Sequence, residues 1–330
     1  MRSRALLAGI TVVLSLTAAL LVAEVAARVA GYRPRVPTPG PEQQIHRPDP
    51  VLGWRAVPGR GVFGPCVSGG DSATVTIRPD GARTAGPKVA GGRPQILLVG
   101  CSFTMGWAVS DDETFAWRLQ ARRPDVEVQN YGQTGYGTVQ SLLLLEQLLA
   151  TGRRPAWVLY GDIPHHEIRN VAPPFWLEML SSNSTSPVEM PYATLAADGH
   201  VNVHPPIGWP SVPLHEHLAL AALLERAWSQ ARPLPTTEES RRITDHLIEE
   251  MAATARAHGA GFSDVLLAQA DDDPPAWGVN ALARHVDVID CRQTIGPEDT
   301  VPGDGHPNAG AHGRWGDCIA AAMADRLPRR

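Results

Sequence analysis

The apolar positions along this chain fall into three patterns. The first is a single unbroken block. Residues 5–23, "ALLAGITVVLSLTAALLVA", carry no charge and follow Arg2 and Arg4. At about 1.5 Å per residue such a helix reaches about 28 Å, close to the thickness of a hydrocarbon core. Signal-peptide cores are usually shorter, about 7–15 residues. The block therefore reads as an uncleaved signal anchor, with cleavage among the small residues at 23–27 as the alternative. The two leading arginines favour an inside N-terminus, although Arg28, Arg33 and Arg35 on the far side weaken that bias. The expected location is the cell membrane, single-pass, with the body of the chain extracytoplasmic. If the segment is cleaved, the product is secreted.

The second pattern begins near residue 94, where short apolar runs alternate with amphipathic stretches. "ILLVG" (96–100), "VEVQNYG" (126–132), "AWVLYGD" (156–162), "FSDVLLAQ" (262–269) and "VDVID" (286–290) read as five strands. Helices are expected around 112–122, over "TVQSLLLLEQLLA", near 240–258 and from about 309 to 326. Strands alternating with helices imply parallel βαβ units with right-handed crossovers. The predicted fold is a three-layer α/β/α sandwich on a five-stranded parallel sheet, plus the N-terminal transmembrane helix.

The third pattern is weak periodicity. Residues 31–48 are rich in Pro and polar residues and read as a linker. Within 49–91, alternating "TVTI" before "PDG" reads as an edge strand and turn in a lead-in that packs on the main domain. Residues 171–239, with "APPFW", "HPPIGWP" and a short helix near "LALAALLERAW", break the alternation. So long an insertion is a lid or binding wall, or else a packed structural element. The predicted organisation is an anchor at 1–30, a linker and lead-in at 31–91, and the main domain at 92–330 with its insertion at 171–239.

Composition narrows the function. A net charge of −5 offers no basic stripe for nucleic acid. Cys66, Cys101, Cys291 and Cys318 would be free to oxidise outside the membrane. A bridge can join Cys291, at the end of a predicted strand, to Cys318 in the last predicted helix. Small buried thiols are the alternative. "HHE" lacks metal-protease spacing, the histidines at 200, 204, 215 and 217 are irregularly spaced, and "DDD" at 271–273 reads as a solvated loop. "GQTGYG" lacks both the dinucleotide fingerprint and a phosphate-loop lysine.

Three segments beyond predicted strand ends hold reactive groups, in the place where α/β folds bind ligands. "GCSFTMG" sets Cys101 beside Ser102, "NYGQTGYGT" carries Gly132, Gly135 and Gly137, and "PGDGHPNAGAH" holds Asp304 and His306. A serine hydroxyl is a weak nucleophile until a base takes its proton, and the base needs a partner to fix its tautomer. Ser102, His306 and Asp304 can fill these roles if the loops converge. Residues two apart point the same way from an extended segment, and Pro307 biases His306 towards that conformation. Taken singly, Ser102 reads equally as a helix N-cap, and Asp-x-His as a surface loop.

The ordered set resembles the SGNH (GDSL-like) hydrolase family over roughly residues 94–330, and the lead-in "DPVLGW…PG" is similar to that of membrane-anchored bacterial members. The resemblance implies a flavodoxin-like fold and a serine-dependent acyl or acetyl esterase without cofactor or metal. In it Ser102 is the nucleophile, His306 the base and Asp304 its orienter. The N–H groups of Ser102 and Gly135 would hold the oxyanion. Two departures stand out. Cys101 occupies the place of the family's aspartate, which makes it an alternative nucleophile, although its side chain should point away from that of Ser102. The family's third-block asparagine is missing from "YGDIPHHEIRN", so His165 or His166 is the candidate replacement as oxyanion donor, with Asn170 farther on. The spacing of Asp304 and His306 resembles that of polysaccharide O-acetyltransferase members, so an O-acyltransferase is an alternative to the esterase. A catalytically silent glycan- or lipid-binding envelope protein is the other. The expected partners are an acyl-ester small molecule or an acylated glycan, with the membrane engaged through the N-terminal helix.

Overall fold

The computed structural model describes residues 2–64, 67–68, 70–87, 91–184, 186–268 and 276–327; Cys66 and the acidic run 271–273 lie outside them. The described chain forms two compact units. One comprises residues 1–40, 174–188 and 208–234, and the other residues 41–173, 189–207 and 235–330.

In the first unit, α1 (Arg2–Val29) is the expected apolar helix. Its stretch Arg4–Val29 has a mean hydropathy of 2.5 and is long and apolar enough to cross a membrane. The polar end of α1 is tied to the rest of the unit. Glu24 accepts the Ala219 and Leu220 N–H groups at 3.0 and 2.8 Å, capping the helix Ala219–Gln230. Arg35 bridges the buried Glu225 at 3.0 Å and donates to Ser181 Oγ at 2.7 Å on the helix Pro174–Ser182.

The second unit holds the sheet. Its strands are β1 (Gln95–Gly100), β2 (Glu127–Asn130), β3 (Trp157–Asp162), β4 (Gly261–Ala268) and β5 (Val288–Gln293), hydrogen-bonded in the order β5-β4-β3-β1-β2. Every pairing is parallel, so this is the flavodoxin-like order expected. Both faces are covered, which is why β1 reads as a continuous apolar run: Ile96, Leu97, Leu98 and Val99 are all at most 1% exposed. Ile96 and Leu98 join one core cluster with Phe115 and Leu119 of α2 (Phe115–Arg122) and with Trp315 and Ile319 of the last helix. On the other face, Tyr160 of β3 meets Thr138 of α3 (Thr138–Ala150), which packs with α4 (Thr237–Ala257). The last helix is α5 (Ala309–Arg326), joined to β5 by a Cys291–Cys318 disulfide.

Helix starts follow side-chain capping. Thr114 accepts the Trp117 N–H, Thr236 forms a capping box with Glu239, and Asn308 accepts the Gly310 and Ala311 N–H groups.

The lead-in is more ordered than its sequence pattern indicates. Two antiparallel hairpins pair His46–Asp49 with Gly53–Ala56 and Gly59–Phe63 with Ala73–Ile77. Their apolar residues Ile45, Ala56, Phe63, Val75 and Ile77 pack on Met105 and Trp107, just beyond β1. The insertion 171–239 is divided between the units, with two helices in the first and most of an antiparallel pair, Glu189–Leu195 with Val201–Gly208, in the second.

Candidate active site

The strand order reverses between β1 and β3, and crevices at such a point are where open parallel sheets bind ligands. β1 ends at Gly100, whose φ is +149°, and a Cβ there would lie 2.2 Å from Thr104 Oγ1 and 2.8 Å from the Gly161 carbonyl. Only glycine lets the chain turn so tightly. A one-turn helix, Ser102–Met105, follows and is closed by Gly106 in the left-handed region. Cys101 holds the N-cap position and makes no side-chain cap bond, so Ser102 is the first helical residue rather than the cap. Ser102 is 3% exposed.

Asp304 and His306 do meet, but through a turn. Gly303 and Gly305 have φ of +79° and +86°, so the segment is not extended as its sequence spacing suggested. The Val301 carbonyl accepts both the Asp304 and Gly305 N–H groups, and Val301 N–H donates to the His306 carbonyl. The turn sets His306 Nδ1 2.6 Å from Asp304 Oδ1, which also accepts the His306 backbone N–H at 3.1 Å. Trp107 Nε1 donates to the other oxygen at 3.2 Å. Burial pushes the Asp304 carboxyl up, but the bonds from His306 and Trp107 outweigh it and hold it below the usual carboxylate range. The His306 ring lies edge-on to Phe103, the neighbour of Ser102, with centroids 6.0 Å apart. Among the described residues no hydrogen bond joins Ser102 Oγ to His306.

The second glycine block is held by the lead-in. The Trp54 indole N–H donates to the Thr134 carbonyl at 3.0 Å, and Tyr136 OH donates to the Trp54 carbonyl at 2.5 Å. Gly135 has φ +77°. In a planar trans peptide the N–H points opposite to the carbonyl, so fixing Thr134 C=O also fixes the Gly135 N–H. The N–H groups of Ser102 and Gly135 have no acceptor among the described residues.

The third block divides its candidates. His165 is exposed, whereas His166 is fully buried. His166 Nδ1 lies 3.1 Å from Asp162 Oδ1 and 2.5 Å from the Tyr160 hydroxyl. Its ring faces the buried thiol of Cys101, so it looks into the core and is badly placed to serve as an oxyanion donor. Asn170 has a structural role: its side-chain oxygen Oδ1 accepts the Thr138 and Val139 N–H groups at the start of α3. Asp162 and Asp264 share Arg284, at 2.6 and 2.5 Å. Burial by itself lowers the His166 pKa, but the neighbouring Cys101 thiol and Asp162 carboxylate outweigh it and hold it above the usual imidazole range. Burial alone pushes the Cys101 thiol up, yet His166 and Arg169 bring it down to about 6.

Three positioning residues escaped the sequence reading. Trp107 and Trp54 bond the site loops directly. Arg83, fully buried, donates to the carbonyls of Met105, Gly106, Val109 and Thr74 and pairs with Asp111 at 3.0 Å, clamping the segment that carries Trp107. Only the family-like lead-in "DPVLGW" pointed towards Trp54; nothing marked Arg83. Among the described residues no cluster of three or more His, Cys, Asp or Glu could hold a metal ion.

No protein-family model matches the chain, and no curated protein matches it. Solved structures similar to it include TesA, at 16% identity over 71% of this chain and 99% of that one, with a TM-score of 0.42. The esterase EstA from Pseudoalteromonas sp. is similar at 12% identity over 71% and 98%, with a TM-score of 0.40. An acetyl xylan esterase from Butyrivibrio proteoclasticus is similar at 11% identity over 79% and 68%, with a TM-score of 0.41.

Proposed function

We propose that the chain is a membrane-anchored serine ester hydrolase of the SGNH type. The observation that carries this reading is the Asp304–His306 pair, 2.6 Å apart, with its imidazole against the residue next to Ser102 at the carboxyl end of β1. Ser102 Oγ attacks the ester carbonyl while His306 Nε2 takes its proton, and Asp304 fixes the tautomer through Nδ1. The N–H groups of Ser102 and Gly135 hold the oxyanion, with His165 the remaining side-chain candidate from the third block. His306 then returns the proton to the leaving alcohol, and water reverses the sequence to free the acid. A small rotation of the Ser102 or His306 side chain completes the relay when substrate arrives.

The substrate is an acyl-ester small molecule or an acylated glycan. A sugar hydroxyl in place of water turns the same chemistry into O-acyl transfer. The retained anchor is supported by Glu24, which accepts the Ala219 and Leu220 N–H groups and would be lost with a segment cleaved at Ala26 or Ala27. The disulfide supports an oxidising, extracytoplasmic setting.

The test is hydrolysis of p-nitrophenyl acetate by the full chain. Ser102→Ala should lower kcat by about 10⁴-fold or more, and a serine-reactive phosphonate should label Ser102. Equal turnover by the two proteins sinks the reading. Adding a polysaccharide acceptor to the same assay separates hydrolysis from transfer.

A further inference from the structure

The first unit leaves several apolar side chains exposed among the described residues. On the helix Ala219–Gln230, Leu220, Leu224 and Trp228 recur every fourth residue and share one stripe. Leu224 is 51% and Trp228 66% exposed, while Ala221, Glu225 and Ser229 on the adjoining stripe are buried. On the helix Pro174–Ser182, Phe175 and Met179 repeat the pattern at 59% and 40% exposure.

The hydrogen bonds to α1 say what meets this surface. The His217 carbonyl accepts from Arg28, and the Ala219 and Leu220 N–H groups donate to Glu24. The helix Ala219–Gln230 therefore starts beside the polar end of α1, and it packs against α1. Exposed Leu and Trp at that level match the boundary between hydrocarbon and headgroups, where tryptophan concentrates.

We propose that the Leu220, Leu224 and Trp228 stripe, together with Phe175 and Met179, is seated in the interfacial layer of the phospholipid bilayer that α1 crosses. The inference rests on the reading of α1 as a retained membrane span. The first unit then grips the membrane surface as well as being tethered to it, as amphipathic helices do when their apolar faces enter the acyl boundary.

Quenching by brominated lipid tests this. The full chain is reconstituted into phosphatidylcholine vesicles with or without brominated acyl chains, and tryptophan emission is compared for wild type and Trp228→Phe. The expected result is quenching in the wild type that is mostly lost in the variant, with both proteins staying in the vesicles after a carbonate wash. Equal quenching in the two proteins, or none in wild type that resists the wash, overturns the inference and leaves the anchor standing. Chain removed by the wash overturns both. Shielding of Trp228 from bromolipid that disappears on dilution into excess lipid assigns the stripe to a second copy and also overturns the lipid reading.

Discussion

Two histidine–aspartate pairs flank the turn after β1, and they differ in little but solvent. His306 and Asp304 are 2.6 Å apart with side chains 30% and 12% exposed; His166 and Asp162 are 3.1 Å apart and fully buried. In the proposed mechanism the His306 ring must be reached by substrate, and its partial exposure leaves it open on that side. His166 lies between the Asp162 carboxylate and the Cys101 thiol, so removing its proton would strand a buried anion. Arg284 completes the neutralisation from the other side of Asp162. In the proposed mechanism the same two residue types thus serve as a relay on the front of the turn and as a fixed ion cluster behind it. Cys101 and Ser102 divide in the same way, the thiol facing the cluster and the hydroxyl belonging to the loop that meets His306.

The largest expected effect breaks the front pair. His306→Ala should lower esterase kcat by about 10³-fold, within the range general-base removal costs, and leave the thermal midpoint close to wild type. His166→Ala should do the reverse, losing stability while keeping much of the activity per folded molecule. If both variants lose turnover equally at unchanged melting temperature, the division of labour is wrong. Next comes Asp162→Asn, which leaves Arg284 and His166 short of an anion. Losing one partner of a buried ion pair costs about 3–5 kcal/mol, readable as a lower urea midpoint. A midpoint unchanged from wild type would mean that the cluster adds nothing to stability.

A third histidine sharpens the contrast because it is buried without a carboxylate. His312 Nδ1 accepts the Phe115 N–H at 3.3 Å, and its ring stacks on Phe115. Burial, helped by the positive charge of Arg83, pushes its pKa down to about 3. The unfolded chain protonates this group near pH 6.5, whereas the folded chain stays neutral to about pH 3. Between those values the unfolded state binds more protons, so the contribution of His312 is complete above pH 6.5 and is lost as pH falls through the window. His312→Asn keeps an acceptor for Phe115 and removes the titration. Urea midpoints at pH 7 and pH 4 should show the wild type losing on the order of a few kcal/mol more than the variant. Parallel losses in the two proteins would rule this out. His46, held near 4 by burial, contributes a similar acid limb that the variant retains.

The sheet was legible because parallel strands covered on both faces must be apolar throughout, and "ILLVG" and "AWVLYG" stand out from their surroundings. The disulfide partners were legible as a pair to consider, since each fell on an element that could face the other. The lead-in was legible only in part: "TVTI" falls on the observed strand Ala73–Ile77, while the other three strands left no pattern. Its short strands carry few apolar residues, and their order comes from packing on Met105 and Trp107, which no local pattern encodes. The spacing of Asp304 and His306 suggests that they meet by extended alternation, whereas two glycines with positive φ turn the chain to bring them 2.6 Å apart. His165 and His166 were indistinguishable as text because burial, not residue type, separates them.

If Gly135 holds the oxyanion as proposed, Trp54 is where this matters for rate. Its indole is 3.0 Å from the Thr134 carbonyl, and it never needs to touch substrate to act. Releasing that carbonyl frees the 134–135 peptide to rotate, and the Gly135 N–H rotates with it. Trp54→Phe keeps an aromatic ring against Tyr136 while removing the donor. Direct loss of an oxyanion donor costs about 10²–10³-fold in kcat, and loosening one should cost less, about tenfold. A misaimed donor weakens the transition state more than the ground state, so KM should hold while kcat falls. A purely structural tryptophan would instead lower the melting temperature and the fraction folded, with kcat per folded molecule unchanged. That outcome would move Gly135 out of the oxyanion site and leave Ser102 N–H to hold the charge with a donor from elsewhere, for which exposed His165 is the next candidate to mutate.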